Sequence, residues 1–212
     1  MAVYNLEEQE QIDELKSWWN QYRQIVLLAV IAVAVTVSAL QGWRFYQTSQ
    51  AFEAGELYAQ MQVAAGSGDQ RKVQDMAVVL VERYPRTGYA ALAALAGAKA
   101  AFESGDAEGA KTRLQWVAAN GKEDEMRDIA RLRLAAVLLD EKKFDEALKL
   151  LEAQPTDALS ALYADLRGDV LVAQGKHNEA RSAYQTALDK SNAKSTYRAL
   201  IRVKLEALGE AK

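Results

Sequence analysis

Asp165 and Asp169 stand one helical turn apart in the segment ALYADLRGDVLV. That spacing puts two carboxylates on one face, as acid–base chemistry on a glycosidic bond would require. Arg167 and neighbouring positive charges argue instead for a solvated ion-pair face, which contributes only about 0–1 kcal/mol per pair. The acidic run Glu123-Asp124-Glu125 reads as the first turn of a helix, where negative charge is favourable to the dipole. His177 is the single histidine, set in a turn beside Gly175 with no second ligand near it in sequence. The absence of cysteine removes thiol nucleophiles, Cys/His zinc sites and Cys-ligated clusters, and leaves the chain indifferent to redox compartment. No glycine-rich phosphate loop or strained serine elbow appears. The chain is therefore expected to be no enzyme, with no catalytic residue, cofactor or metal ligand to assign. A carboxylate-only glycosidase on a helical superstructure is the remaining enzymatic alternative.

The wider composition sets the elements that must position these groups. With only 2 Pro among 212 residues and an abundance of Ala, Leu, Glu, Lys, Arg and Gln, the chain favours helix almost throughout, because these side chains lose little rotamer freedom there. It reads as all-α. A net charge of -3 with both signs mixed gives no basic stripe, so nucleic acid is not an expected partner.

Gln24 to Trp43 carries no charge, and IVLLAVIAVAVTVSAL from Ile25 is broken only by Thr36 and Ser38. About 20 helical residues reach roughly 30 Å, the hydrocarbon thickness of a bilayer. A lone strand would leave its backbone groups unpaired in lipid, so a single span has to be a helix. Trp18, Trp19 and Tyr22 before the stretch, and Trp43, Arg44, Phe45 and Tyr46 closing it, are membrane-interface anchors. Val37-Ser38-Ala39 resembles a peptidase site, but Glu7, Glu8, Glu10, Asp13 and Glu14 in the leader oppose the positive bias of a signal peptide. The expected organisation is a cytoplasmic segment 1–24, an uncleaved transmembrane helix 25–46 and a soluble domain 47–212. Lys16 and Arg23 against Arg44 favour the N-terminus inside and the domain outside. Val3, Leu6, Ile12, Leu15, Trp19 and Tyr22 lie close to one face of a leader helix.

The soluble part repeats. Turn positions at Gly68, Gly105, Lys142 and Gly175 recur near the period of helical-hairpin arrays, each followed by an apolar pattern such as Ala110, Leu114 and Val117, or Ala180, Tyr184 and Ala187. Small residues at Ala110, Ala147 and Ala180 let antiparallel helices approach closely, while Leu114, Leu151 and Tyr184 fill the gap to the next hairpin. First helices are expected at Phe52–Ala65, Tyr89–Glu103, Ile129–Glu141 and Leu159–Gln174, with Gly168 providing close packing in the last. A helix from Thr196 to Leu208, apolar at Leu200, Ile201, Leu205 and Leu208, caps the end. The fold class is thus a single N-terminal transmembrane helix followed by a tetratricopeptide-like α-solenoid of about four hairpins and a C-terminal capping helix.

Tyr4, Lys16-Ser17-Trp18-Trp19, Gly42-Trp43-Arg44-Phe45-Tyr46, Tyr89-Ala90-Ala91-Leu92-Ala93, Arg131-Leu132-Arg133-Leu134-Ala135 and Ala164-Asp165-Leu166-Arg167-Gly168-Asp169 together carry a likeness over nearly the whole chain. On these strings it resembles the YfgM-type ancillary subunits of the SecYEG translocon. The resemblance implies a single-pass protein of the bacterial inner membrane with a periplasmic tetratricopeptide-like domain. It further implies SecYEG and a PpiD-like periplasmic chaperone as partners, with newly translocated, unfolded polypeptides as clients. By that family's fold, a protein-binding groove is lined from first helices, which selects Leu92, Leu95, Lys99 and Phe102, then Leu132, Ala136 and Leu139, then Leu162, Asp165 and Asp169. A structural scaffold for another envelope complex, without chaperone function, is the competing expectation.

Overall fold

The computed structural model describes residues 4–192 and 195–209, with side chains from Glu10 onward. Val3 and the side chains of Tyr4 and Leu6, invoked above, lie outside the described residues. The elements are α1 (Tyr4–Gly66), α2 (Gln70–Arg83), α3 (Gly88–Glu103), α4 (Ala107–Asn120), α5 (Asp124–Asp140), α6 (Phe144–Leu151), a short 3-10 turn (Asp157–Leu159), α7 (Ser160–Ala173), α8 (His177–Lys190) and α9 (Thr196–Ala207). Two compact units divide the chain, Met1–Ser49 and Gln50–Lys212, and α1 contributes to both.

In the first unit α1 is long and apolar enough to cross a membrane. Its aliphatic side chains have no protein cover: Ile25 is 64% exposed and Leu28 67%. Such a surface is unfavourable in water and at home in lipid. The Thr36 hydroxyl donates to the Ala32 carbonyl at 2.8 Å, so this polar interruption is satisfied within the helix. At the two ends the rings of Trp18 and Tyr22 lie 5.7 Å apart and those of Trp43 and Tyr46 6.2 Å apart. Trp19, Arg44 and Phe45 are also exposed.

The second unit is built by one turn used four times. Gly68, Gly105, Lys142 and Gly175 have φ of 76°, 88°, 60° and 76°. At each, the left-handed residue donates to the carbonyl three positions back and its successor to the carbonyl five back, as with Gly105 to Phe102 (3.0 Å) and Asp106 to Ala101 (2.8 Å). This closes the last turn of a first helix and reverses the chain. Glycine enters that conformation without steric cost, whereas Lys142 is strained. Asp69 and Asp106 then cap α2 and α4 through the amides of Lys72 (3.0 Å) and Gly109 (2.8 Å).

The helices of each hairpin meet where the sequence is small. Ala110, Ala147 and Ala180 are wholly buried, and Leu114, Leu151 and Tyr184 are buried beside them. A Cβ on Gly168 would come within 2.3 Å of the Tyr184 ring, and one on Gly97 within 2.6 Å of the Ala77 methyl. Bare glycine backbone is what admits those neighbours. Three helix starts differ from expectation, the one at Phe52 falling within α1. α5 begins at Asp124 rather than Ile129, because Asp124 and Glu125 form its acidic first turn. The start expected at Leu159 resolves into the 3-10 turn followed by α7 at Ser160.

α9 covers the end of the array with Ile201 fully buried and Tyr197, Leu205 and Leu208 packed around it. Leu200, expected on this face, is instead 50% exposed, because the buried stripe steps through positions 197, 201, 205 and 208 and leaves 200 and 203 outside. A polar lock fixes the cap. The Lys204 ammonium donates to Asp165 at 2.7 Å and to Asp169 at 2.8 Å, while Tyr197 donates to Asp165 at 2.5 Å and Tyr184 to Asp169 at 2.7 Å. The solvated ion-pair face expected around Asp165 and Arg167 is thereby corrected: Asp165 is 4% exposed and its cation comes from α9, while Arg167 points to solvent. Burial, then the hydrogen bond from each ring to its carboxylate, pushes the Tyr184 and Tyr197 hydroxyls above the usual tyrosine range. Burial alone would lower the Lys204 ammonium, but its bonds to Asp165 and Asp169 outweigh that and carry it upward.

Three outcomes are expected. Lys142→Gly relieves the left-handed strain and raises stability by about 1 kcal/mol, read as an upward shift of the thermal midpoint. Gly168→Ala forces its methyl into the Tyr184 ring and destabilises by about 1–3 kcal/mol, with part of the loss recovered in the Gly168→Ala, Tyr184→Leu double variant. The third concerns alkaline pH. All three perturbed groups of the lock hold their protons more tightly when folded, so their contribution is complete below the unfolded values of about 10 and is lost as pH rises through the folded ones. Thermal melts from neutral to strongly alkaline pH should show this decline, and Tyr184→Phe with Tyr197→Phe should make it shallower.

Candidate protein-binding groove

First helices α3, α5 and α7 are each separated from the next by an antiparallel partner, so they run the same way and line one side of the second unit. The ten residues expected there divide by burial. Lys99 and Phe102 are exposed, and Leu92, Leu132, Ala136, Leu139, Leu162 and Asp169 are half-buried. Leu132 and Leu139 pack against the central core. Leu95 belongs to that core, at 6% exposed, and Asp165 is covered by α9, so neither presents its side chain to a groove. The reason is rotational: a helix buries the stripe that meets its neighbours on both sides, and α9 occupies the side of α7 that bears the two aspartates.

Lys99, Phe102 and Ala136 are brought together around a cavity of about 410 Å³ between α3 and α5. Its remaining lining is Ala98, Ala110, Leu114, Arg133, Val137 and Asp140. Leu92, Leu139 and Leu162 do not line it. Arg133, Val137 and Asp140 were not expected in the groove, although Arg133 and Asp140 lie one turn either side of Ala136 and Val137 lies one turn beyond Arg133. The cavity is apolar in its centre and charged at its rim. Lys99 stands 3.6 Å from Glu103, while Arg133 is exposed and has no ion-pair partner among the described residues.

Two buried charges hold the groove-forming helices in place. Lys111 on α4, beside the cavity's Ala110, is 7% exposed and donates to Glu108 at 2.7 Å and to Glu141 beyond α5 at 2.8 Å. Glu141 in turn meets Lys143 at 2.7 Å. Hydrogen bonds to Glu108 and then Glu141 raise the Lys111 ammonium against the opposing effect of burial, and Lys111 followed by Lys143 lowers the Glu141 carboxyl. On the other side of α5 the Asp128 carboxylate, 3% exposed, accepts from the Thr156 amide at 2.8 Å and from Arg131 at 2.9 Å. The Tyr163 hydroxyl donates to the Asp128 carbonyl at 2.9 Å, and burial followed by the nearby carboxylate pushes it up to about 12. These ties fix the loop between α6 and α7. Glu108 and Arg131 lie one turn from Lys111 and Asp128, but the tertiary partners, Glu141 and Thr156, lie about thirty residues away, so no sequence signal marked these two sites.

Further open clefts occur among the described residues, including a polar one of about 410 Å³ at Arg127, Asp128, Arg131 and Thr156. Another, of about 310 Å³, is lined by Val78, Val81, Ala94, Arg113 and Trp116, and a further one, of about 410 Å³, by Pro155, Tyr163, Arg167, Glu179 and Lys190. Among the described residues no group of three or more His, Asp or Glu side chains is arranged to hold a metal ion.

Residues 16–210 match the model of the tetratricopeptide repeat-like domain family. The chain is 32% identical to the ancillary SecYEG translocon subunit of Neisseria gonorrhoeae over 98% of its own length and 100% of that protein's. Identity is 30% to the protein of that name from Haemophilus influenzae, over 87% of this chain and 90% of the relative. With that from Escherichia coli it is 28%, over 98% and 99%. The shared architecture is a protein-interaction fold rather than an enzyme's. With a repeat-family match spanning nearly the whole chain and full-length relatives that share it, the protein belongs to the tetratricopeptide repeat-like family that includes the ancillary SecYEG translocon subunits.

Proposed function

We propose that this chain is a non-enzymatic, membrane-anchored interaction module that works beside the Sec translocon. The helix spanning 25–46 anchors it in the bacterial inner membrane, with residues 1–24 in the cytoplasm and the repeat domain from residue 47 in the periplasm. There the domain meets polypeptides as they leave the channel and works with a PpiD-like chaperone on newly translocated envelope proteins. The observation that carries this reading is the likeness, over nearly the whole chain, to proteins named as SecYEG subunits; a helix long and apolar enough to cross a membrane and a cavity between α3 and α5 support it.

The physical logic is one of local concentration. Tethering a binding surface near its ligand makes encounter effectively intramolecular, so weak contacts suffice and clients remain free to leave and fold. A cavity with an apolar centre and a charged rim suits such contacts, because it rewards exposed apolar side chains without demanding a defined fold. The interface anchors Trp18, Trp19, Tyr22, Trp43, Arg44, Phe45 and Tyr46 set the depth of the helix in the bilayer and leave its aliphatic face to lipid or to channel subunits.

Photocrosslinking in native membranes, with probes at Trp43 and Phe102, tests the reading. Adducts of Trp43 with channel subunits, and of Phe102 with translocating chains or the chaperone, are the expected result. Adducts confined to one unrelated envelope protein at both positions would make the chain a scaffold and sink the proposal.

A further inference from the structure

We infer that the cavity between α3 and α5 is a peptide pocket selective for a bulky apolar side chain with an acidic residue beside it. This rests on the groove reading above and names the chemistry of the segment the groove prefers. The apolar part follows from the lining: Leu114 and Val137 form the floor, and Phe102, 43% exposed, offers its ring at the edge. At about 410 Å³ the space is at the small end of ligand pockets, which are roughly 300–1,000 Å³, and so takes side chains rather than a folded element.

The acidic part follows from the rim. Lys99 on α3 and Arg133 on α5 line the cavity from its two flanking helices, each one turn before another lining residue, Phe102 and Ala136 respectively. Arg133 has no ion-pair partner among the described residues, and its planar fork is available for a carboxylate. Lys99 keeps only the 3.6 Å contact with Glu103. Asp140 lies one turn beyond Ala136 at the other end of the cavity, so the rim is cationic at one end and anionic at the other. An extended chain advances about 3.3 Å per residue and a helix about 5.4 Å per turn, which places the complementary acid one or two residues from the apolar side chain.

The test uses the full-length protein in nanodiscs of neutral lipid. Its probes are fluorescent Gly/Ser peptides carrying a Phe-Leu pair, flanked either by Glu-Glu or by Lys-Lys, with binding read by anisotropy. The Glu peptide should bind about fivefold tighter than the Lys peptide, with the gap narrowing as salt rises. Arg133→Glu should reverse that order, and Ala136→Trp, which fills the cavity, should abolish binding of both peptides while the helical circular dichroism is retained. Equal affinities, a preference that survives Arg133→Glu, or no binding of either peptide would overturn the inference. Its failure is separable from that of the functional reading: if Phe102 crosslinks to translocating chains while the peptides show no charge preference, only the pocket chemistry is wrong. Absence of Trp43 adducts with channel subunits would instead count against the placement beside the translocon.

Discussion

Close approach of paired helices at small residues is the constraint on which the rest of the second unit depends. A helical hairpin of this size exposes too much apolar surface to stand alone, so each must be buried by the next. That is possible only if the crossing points are stripped of bulk, as at Ala110, Ala147 and Ala180, and at Gly97 and Gly168, where even a methyl would collide with its neighbour. The left-handed turns at Gly68, Gly105, Lys142 and Gly175 serve the same end, because they return the second helix at the angle from which those small surfaces meet. The α3/α5 cavity is a consequence. It is lined from α3, α4 and α5 together, with Ala98, Ala110, Leu114 and Val137 as its buried apolar members.

An array of this kind has to be stopped, and α9 stops it by two different means. Its apolar stripe closes the core around Ile201, while Lys204 and Tyr197 engage aspartates of α7. Buried ion pairs contribute little net stability, because desolvation offsets the attraction, and here one oxygen of Asp165 is buried with no partner. What the lock supplies is position. Only one placement of α9 brings an ammonium between two carboxylates and a hydroxyl to one of them, whereas an apolar stripe alone would tolerate a slide of one turn. The same placement withdraws Asp165 from the surface, while Lys99 and Phe102 on α3 and Arg133 on α5 stay exposed.

The two units expose different surfaces. α1 before Ser49 is exposed along its aliphatic surface, with its hydroxyl bond made inside the helix and its aromatic pairs at either end, a pattern stable in lipid. The helices after Gln50 follow the rule of water, with small and aliphatic residues buried and charges outside except where paired.

Features governed by local chemistry were legible in the sequence. The long apolar helix was evident because its hydrophobicity is continuous, and the four turns because glycines at three of them, and the apolar offsets of Phe144, Ala147 and Leu151 after Lys142, recur at a near-regular spacing. Small residues at the crossings and the acidic first turn of α5 were likewise readable, being properties of one segment and its period. What the sequence could not determine was the rotation of each helix about its own axis and the identity of partners far along the chain. Leu95 and Leu200 exchanged their expected places, one into the core and the other to the surface, because a single apolar residue at the edge of a stripe falls inside or outside according to how the neighbouring helix is tilted. Asp165 and Asp169 resembled a solvated pair beside Arg167 until the fold delivered Lys204 and Tyr197 from more than thirty positions away. Periodicity is a one-dimensional property that a sequence carries directly, whereas burial and charge pairing are decided by which surfaces meet, and only the tertiary structure brings those surfaces together.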